Sequence, residues 1–424
     1  MAMIATDRLI GFVRADHALP APVREDALRL LADTLAVGAA GATAPGGWEA
    51  LAAATGWGAG GEARLLGGSE RLPAAGAAFV NAFRIHCLEW DAVHEPAVVH
   101  ALSVVTGALG AAVDRMGGCD PEEALVALAV GVDVASGMGL AATSPLSFFR
   151  PATAGCLGAA MAIARIGRIE PIEDVLGLAY SFCAGTMQAH VEGSIALPLQ
   201  IANAARSAIM AVDLVRAGFT APHDVLEGPF GYFRLFDQGD LARYTDRIGE
   251  NWRIAEISTK PFPSGRASHA TLGALAAFHG REIGRIEAHV PPLIARLVDR
   301  SFRADMTPAY ARLCLPLLAA LMLREGRIDP RRFGPETFAD PAVMALAARV
   351  TVVVDGNPDP NALSPQRLVV DGEEILIPHT LGSPEAPLDA AQAVAKRDLA
   401  RALAPAATDA RIFDSPLAYF TEPA

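Results

Sequence analysis

Lysine is almost missing from this chain: only Lys260 and Lys396 occur among 424 residues, and nearly every other basic position is arginine. Aromatic residues make up 6% and charged residues 19%. Acidic side chains outnumber basic ones, 47 against 35, for a formal net charge of −12. A surface of that sign repels phosphate backbones and no basic patch offsets it, so nucleic acid is not an expected partner. Cysteine is scarce as well. Cys87, Cys119, Cys156, Cys183 and Cys314 are odd in number, scattered, and never spaced as C-x-x-C. That pattern argues against a disulfide framework or a cysteine zinc site and leaves buried reduced thiols.

A secretory leader is not expected either, because Asp7, Arg8 and Arg14 interrupt the N-terminal stretch where a signal peptide needs an apolar core. Pro96 to Val113 carries no formal charge and Val175 to His190 nearly repeats this. Both runs are rich in Gly, Ala, Ser and Thr, which suits close helix packing inside a core better than a bilayer. The expectation is a cytoplasmic protein with no membrane span.

What the chain does have is a large hydrophobic share, 52%, enough at this length for two or three cores and too much for disorder. Val23 to Gly38 places Leu28, Leu31, Leu35 and Val37 at helical spacing, so it predicts a helix burying one stripe. Comparable patterns run over Ala74 to Trp90, Val98 to Met116, Pro121 to Met138, Ala152 to Ile166, Ile172 to His190 and Ile201 to Ala217, with Gly, Pro and Asp between them. The prolines and glycine of Lys260-Pro261-Phe262-Pro263-Ser264-Gly265 block a helix and mark a crossing between domains. Beyond them a helix over Ala270 to Phe278 precedes β-branched runs at Ile286 to Val298, Arg349 to Asp355, Leu368 to Asp371 and Glu374 to Ile377. Helical spacing returns over Leu388 to Ala404. The predicted fold is mainly α: a large all-helical domain from residues 1–264 and 388–424, and a smaller α+β lid domain from residues 265–387. Gly56 to Gly68 reads as a surface loop without the G-K-[ST] ending of a phosphate loop.

Three places could carry chemistry. Lys260 sits at a rigid turn beside Arg266 and Phe262, where desolvation and a like charge would push its ammonium toward a usable base; an exposed surface lysine is the plain alternative. His86, Glu89, Asp91, His94, Glu95 and His100 form the densest polar group, with His86/Glu89 and Asp91/His94 at i, i+3. Such pairs could seat iron or manganese, although only His190 and Glu192 weakly repeat the pattern elsewhere, so acid/base work or substrate positioning is the better reading. Third, Ser264 to His269 brings Arg266, suited to gripping a carboxylate, next to serines that serve equally well as helix caps.

Several stretches resemble one family: Ala78-Phe79-Val80-Asn81-Ala82, Leu88-Glu89-Trp90-Asp91, Gly185-Thr186-Met187-Gln188, Glu192-Gly193-Ser194, Ala204-Ala205-Arg206-Ser207, Leu226-Glu227-Gly228-Pro229 and Ser258-Thr259-Lys260-Pro261-Phe262-Pro263. They are similar to the MmgE/PrpD family, which includes 2-methylcitrate dehydratase, cis-aconitate decarboxylase and iminodisuccinate epimerase, and the resemblance runs in order over nearly the whole chain. It implies a helical domain, an α+β lid, an active site between them, no metal or organic cofactor, and a homodimer acting on a small carboxylic acid. Reactions of this kind remove a proton beside a carboxylate or expel the carboxylate, so they need a base near cations. Carried over by position, the resemblance implies catalytic roles for Lys260, His100 and Asp91, with Lys260 or His100 moving the proton. It retains Arg266 and His269 as basic groups for the substrate; with Arg150, which departs from the family pattern, and His94 and Glu89 from the polar cluster they form the candidate substrate-binding set, Arg150 and Arg266 gripping a carboxylate.

The chain also departs from the family pattern. Arg150 stands in place of a histidine, Leu197 and Gln200 in place of a lysine and a histidine, Ala92-Val93 in place of Asp-Thr, and Leu317 in place of a lid tyrosine. With fewer cations to match buried carboxylates, the expected substrate is less charged than 2-methylcitrate, larger and more apolar. A cofactor-independent lyase or isomerase is the leading reading. The alternatives are a paralogue that only binds its ligand, or a metal-dependent enzyme using the His86 to His100 cluster.

Overall fold

The computed structural model describes residues 5–359 and 362–421. The N-terminal part is built on α1 (Ala5–Arg14), α2 (Ala21–Gly41), α3 (Gly47–Trp57), α4 (Ala74–His86), α5 (Ala101–Arg115), α6 (Pro121–Ala141), α7 (Arg150–Gly167), α8 (Ile172–Ser181), α9 (Gln188–Glu192) and α10 (Ala196–Arg216). Helix α5 runs through the middle, buried on every side from Ala101 to Asp114. Its Ala, Gly, Ser and Thr residues let α4, α6, α7 and α10 approach closely. Helix α6 is long and apolar enough to cross a membrane, yet 89% of its apolar window is buried inside this bundle. Asp120 caps its start, accepting from the Glu122 and Glu123 amides.

The second part is mainly short helices around a four-stranded sheet, ordered β4 (Val350–Val354), β3 (Ile286–Val290), β5 (Gln366–Val370), β6 (Glu373–Ile377). Strand β3 pairs parallel with β4, Ile286 facing Val350, and antiparallel with β5, Ile286 facing Val370. The fold is therefore mainly α with a smaller α+β part. One hydrophobic core draws on residues 5–257 and on Ala400, Ile412, Phe413, Tyr419 and Phe420. A second draws on residues 267–370. The helix Ala390–Leu403 returns to lie on α2, started by a capping box of Asp389 and Gln392.

Two readings of the sequence need correction. The apolar run Ile286 to Val298 is half strand and half helix: β3 stops at Val290 and a helix occupies Pro292–Val298. Pro291 and Pro292 lack the N–H a sheet needs, and proline suits the first turn of a helix. Gly56 to Gly68 is a surface loop only in its first half. Ala63 and Arg64 form β1, paired with β2 (Arg71–Leu72), and Ala63, Leu65 and Leu66 are buried. Arg64 reaches inward to Asp114.

Candidate active site

Helix α4 ends at His86, four residues sooner than its periodicity suggests, and the chain from Cys87 to His100 is irregular. Backbone bonds pin this segment: Val93 and Ser258 exchange both amide bonds, and His94 and Val99 do the same across a tight loop. Glu89 and Val98 hold positive φ of 53° and 54°. For a β-branched valine that conformation costs about 1–3 kcal/mol and persists only where the surroundings impose it. The strain brackets Asp91.

Asp91 is fully buried, and its Oδ2 accepts from His86 Nδ1 at 2.9 Å, from His100 Nδ1 at 2.9 Å and from the Ser103 hydroxyl. Burial alone would raise this carboxyl, but His100, His86 and Lys260 together hold it well below the usual range, so it is ionised. The two imidazole rings meet edge to face with centroids 4.7 Å apart. Their surroundings push them in opposite directions. Burial and the Lys260 charge outweigh Asp91 at His100 and lower it, whereas Asp91 and Glu89 outweigh burial at His86 and raise it. His100 is thus a neutral base at pH 7, with Nδ1–H held by Asp91 and Nε2 left available. His86 Nε2 is buried without a hydrogen bond, 3.5 Å from Glu89 Oε1.

Lys260 is completely buried, and its ammonium donates to the Glu89 carbonyl at 3.0 Å and the Glu89 carboxylate at 3.1 Å, with Asp91 Oδ1 3.9 Å away. Burial raises Glu89, but Lys260 and the two histidines bring it down to about 2. The turn that carries Lys260 is set by Gly382, whose carbonyl accepts from the Thr259 amide at 2.8 Å. A Cβ on Gly382 would stand 2.0 Å from the Thr259 carbonyl oxygen, and its φ is +91°, so only glycine fits.

These groups border a cavity of about 100 Å³ between the two parts of the molecule. From the helical part it is lined by His86, Glu89, Glu95, Val98, His100, Phe149, Met187, His190 and Leu197, and from the other part by Arg266, Leu293, Leu297, Leu313, Leu363, Gln366 and Thr380. It is smaller than the roughly 300 Å³ at the low end for drug-sized ligands, so its size does not favour the larger substrate expected from the sequence. A groove of about 780 Å³ on the far side, beside Arg14 and Arg165, holds none of this chemistry.

Of the eight candidate site residues, Glu89, His100 and Arg266 line the cavity, and Asp91 and Lys260 stand directly behind it. Three lie elsewhere. Arg150 is occupied by Asp237 at 2.9 and 3.1 Å and by the Ala97 carbonyl at 3.1 Å, so it braces the Val93 to His100 loop and is not free to grip substrate. His94 bonds Glu256 through Nε2 at 2.9 Å and accepts the Ala97 amide at Nδ1, a structural position. His269 packs on Phe262 and bonds Ser264; burial and the charges of Arg266 and Lys260 hold it well below the ordinary imidazole range, so it is not a cation. Arg266 itself is paired with Glu95 at 2.8 Å. Neither Ser264 nor Ser268 caps a helix; their hydroxyls bond each other.

Gln200 turns away to the Thr186 backbone, and Leu317 lies inside the second core. The sequence reading missed His86, Glu95 and His190 as cavity groups, although the first two sit in the cluster it singled out. His190, which burial and Arg300 lower to about 4, was noted in the sequence only with Glu192 as a weak repeat of that cluster's pattern. Lys396 was also missed: it donates to the Trp90 carbonyl at 3.2 Å and pairs with Asp33 at 2.6 Å. Both lysines of the chain therefore brace one tripeptide, Glu89-Trp90-Asp91. Ligating atoms of His86, Asp91 and His100 lie within 4.8 Å of one another. The imidazole nitrogens facing Asp91 are those that donate to it, so a cation there would have to displace both hydrogen bonds.

Comparison with known proteins gives matches over most of the chain. Residues 13–245 match the MmgE/PrpD N-terminal domain and residues 262–415 the MmgE/PrpD C-terminal domain. The chain is 26% identical over 393 residues to the cis-aconitate decarboxylase-like protein oryM of Aspergillus oryzae, which covers 84% of this chain and 81% of that protein. It is also 26% identical to the cis-aconitate decarboxylase of Aspergillus terreus over 288 residues, 63% of this chain and 58% of that one. With the Homo sapiens cis-aconitate decarboxylase the identity is again 26%, over 306 residues, 66% of this chain and 61% of that one.

Proposed function

The chain belongs to the MmgE/PrpD family, and we propose that it is a lyase or isomerase that removes a proton beside the carboxylate of a small, weakly charged acid, without an organic cofactor. The observation that carries this reading is the Asp91–His100 pair at the cavity: a buried carboxylate fixes the Nδ1–H tautomer of a neutral imidazole that lines the space where a ligand would lie. Such a carboxylate orients the ring and stabilises the imidazolium formed when Nε2 accepts a proton.

In the proposed reaction His100 Nε2 takes the proton from the carbon next to the substrate carboxylate, and the electron pair of that C–H bond moves into the carboxylate as an enediolate. The surrounding positive charge of Lys260 and protonated His86 stabilises it. The enediolate then loses a β-substituent in a dehydration or regains a proton from the other side in an epimerisation. In a decarboxylation the C–C bond to the carboxylate breaks in place of the C–H bond, its electron pair stays on the carbon, carbon dioxide leaves with the former carboxylate oxygens, and the carbanion takes a proton from His86, which Asp91 and Glu89 raise. Two cation-capable side chains of the family pattern are Leu197 and Gln200 here, which supports a substrate of lower charge than 2-methylcitrate.

The test is incubation of the purified protein with a panel of mono-, di- and tricarboxylic acids, following carbon dioxide release and new vinylic protons. Turnover is expected for a mono- or dicarboxylate and not for 2-methylcitrate. Turnover of 2-methylcitrate at an ordinary rate would contradict the charge assignment.

A further inference from the structure

We propose that Glu95 is a resident counter-ion that makes this site select acids with a single carboxylate. The inference rests on the carboxylic acid reading above and adds the number of carboxylates the site accepts.

Arg266 is the one arginine or lysine, among the described residues, whose side chain lines the cavity, and the resemblance gives it the task of gripping substrate. Both terminal nitrogens of its guanidinium are already committed, while Nε is buried without a partner. Nη2 donates to Glu95 Oε1 at 2.8 Å and to the Thr380 carbonyl at 3.2 Å, and Nη1 donates to the Leu381 carbonyl at 2.6 Å. Glu95 is held in turn by the Ser258 hydroxyl and lines the same cavity. The side chains of Arg266 and Glu95 are 8% and 17% exposed, so solvent screens their attraction little. A second substrate carboxylate approaching Arg266 would have to displace Glu95 and leave it partly buried beside another anion, which is strongly unfavourable.

A second carboxylate would also have to sit against a wall that is largely apolar, where an unmatched charge is costly. The lid-side environment of Arg266, with Leu363 and Leu293 beside it on the wall, then suits the hydrocarbon end of an acid.

The test compares butyrate and succinate, a four-carbon pair differing by one carboxylate, by calorimetric titration of the full-length protein. The wild type is expected to favour butyrate, and Glu95→Gln is expected to lower the ratio of the succinate Kd to the butyrate Kd by about tenfold, equivalent to about 1.4 kcal/mol. Adding Arg266→Gln to Glu95→Gln should cancel that gain, because the freed guanidinium is what binds the second carboxylate. Glu95→Ser removes the same charge should the amide variant fold poorly. A wild type that binds succinate as tightly as butyrate, or a ratio unmoved by either Glu95 variant, overturns this proposal and leaves the lyase or isomerase reading standing. Binding of neither acid by any of these proteins overturns both.

Discussion

At the scale of single residues, the site works by placing two identical side chains in unequal fields. His86 and His100 share one oxygen of Asp91, yet His86 is raised, after burial, by Asp91 and Glu89, while His100 is lowered by burial and Lys260. Histidines whose environments separate them in this way are suited to be acid and base in one reaction. The sign of the pH dependence follows. Activity falls on the acid side as His100 takes up a proton, below the ordinary imidazole value of about 6.5, and on the alkaline side as His86 loses one, above it. The profile of kcat/KM against pH should be a bell spanning that value, and His86→Gln should remove the alkaline limb while leaving the acid one. A profile flat between pH 5 and 8 would contradict the assignment. Sequence alone put Asp91 and His100 in one cluster, because they are close along the chain. It did not separate a cavity histidine from a structural one, since His94 is satisfied by Glu256, 162 positions away, and nothing in the spacing of Ser264 and His269 says that they bond each other away from the cavity. Arg150 was read wrongly for the same reason: Asp237 lies 87 positions away.

At the scale of elements, the irregular segment after α4 is held by parts of the chain remote from it. Lys260 comes from the crossing turn, Arg150 from the start of α7, and Lys396 from the C-terminal helix Ala390–Leu403. Lys396 is buried, and its ion pair with Asp33 ties that helix to α2 while its hydrogen bond fixes the Trp90 carbonyl. Removing one partner of a buried pair leaves the other uncompensated, at about 3–5 kcal/mol. Lys396→Met should therefore lower stability by about that amount in urea unfolding, whereas Arg397→Met, at an exposed neighbouring position, should change it by less than about 0.5 kcal/mol. Equal effects from the two would remove Lys396 from its bracing role. Helical periodicity made the helices and the returning C-terminal segment legible, because an amphipathic or buried stripe is written locally. It overran their ends: α4 was extended through Trp90 and α8 through His190, since apolar spacing continues into segments whose geometry is set by tertiary hydrogen bonds.

At the scale of the whole molecule, two cores leave a small, mostly apolar cavity at their junction, with His86 and His100 contributed by one side and the Arg266 wall by the other. The break in character after Lys260 was visible in the sequence, because prolines stop helices and β-branched runs begin beyond them. The cavity was not, since it depends on which side chains of two separate parts meet. The proposed function turns on His100, oriented by Asp91, removing a proton next to a carboxylate. The most direct measurement is proton NMR in D₂O, recording the loss of the C–H signal beside the carboxylate for whichever acid of the panel the protein binds, with wild type and His100→Gln side by side. Exchange by the wild type is expected, with a rate reduced by about 10²-fold or more in the variant, the size of a positioned general base. Exchange at an undiminished rate in His100→Gln, or none in the wild type with a bound acid, would contradict it.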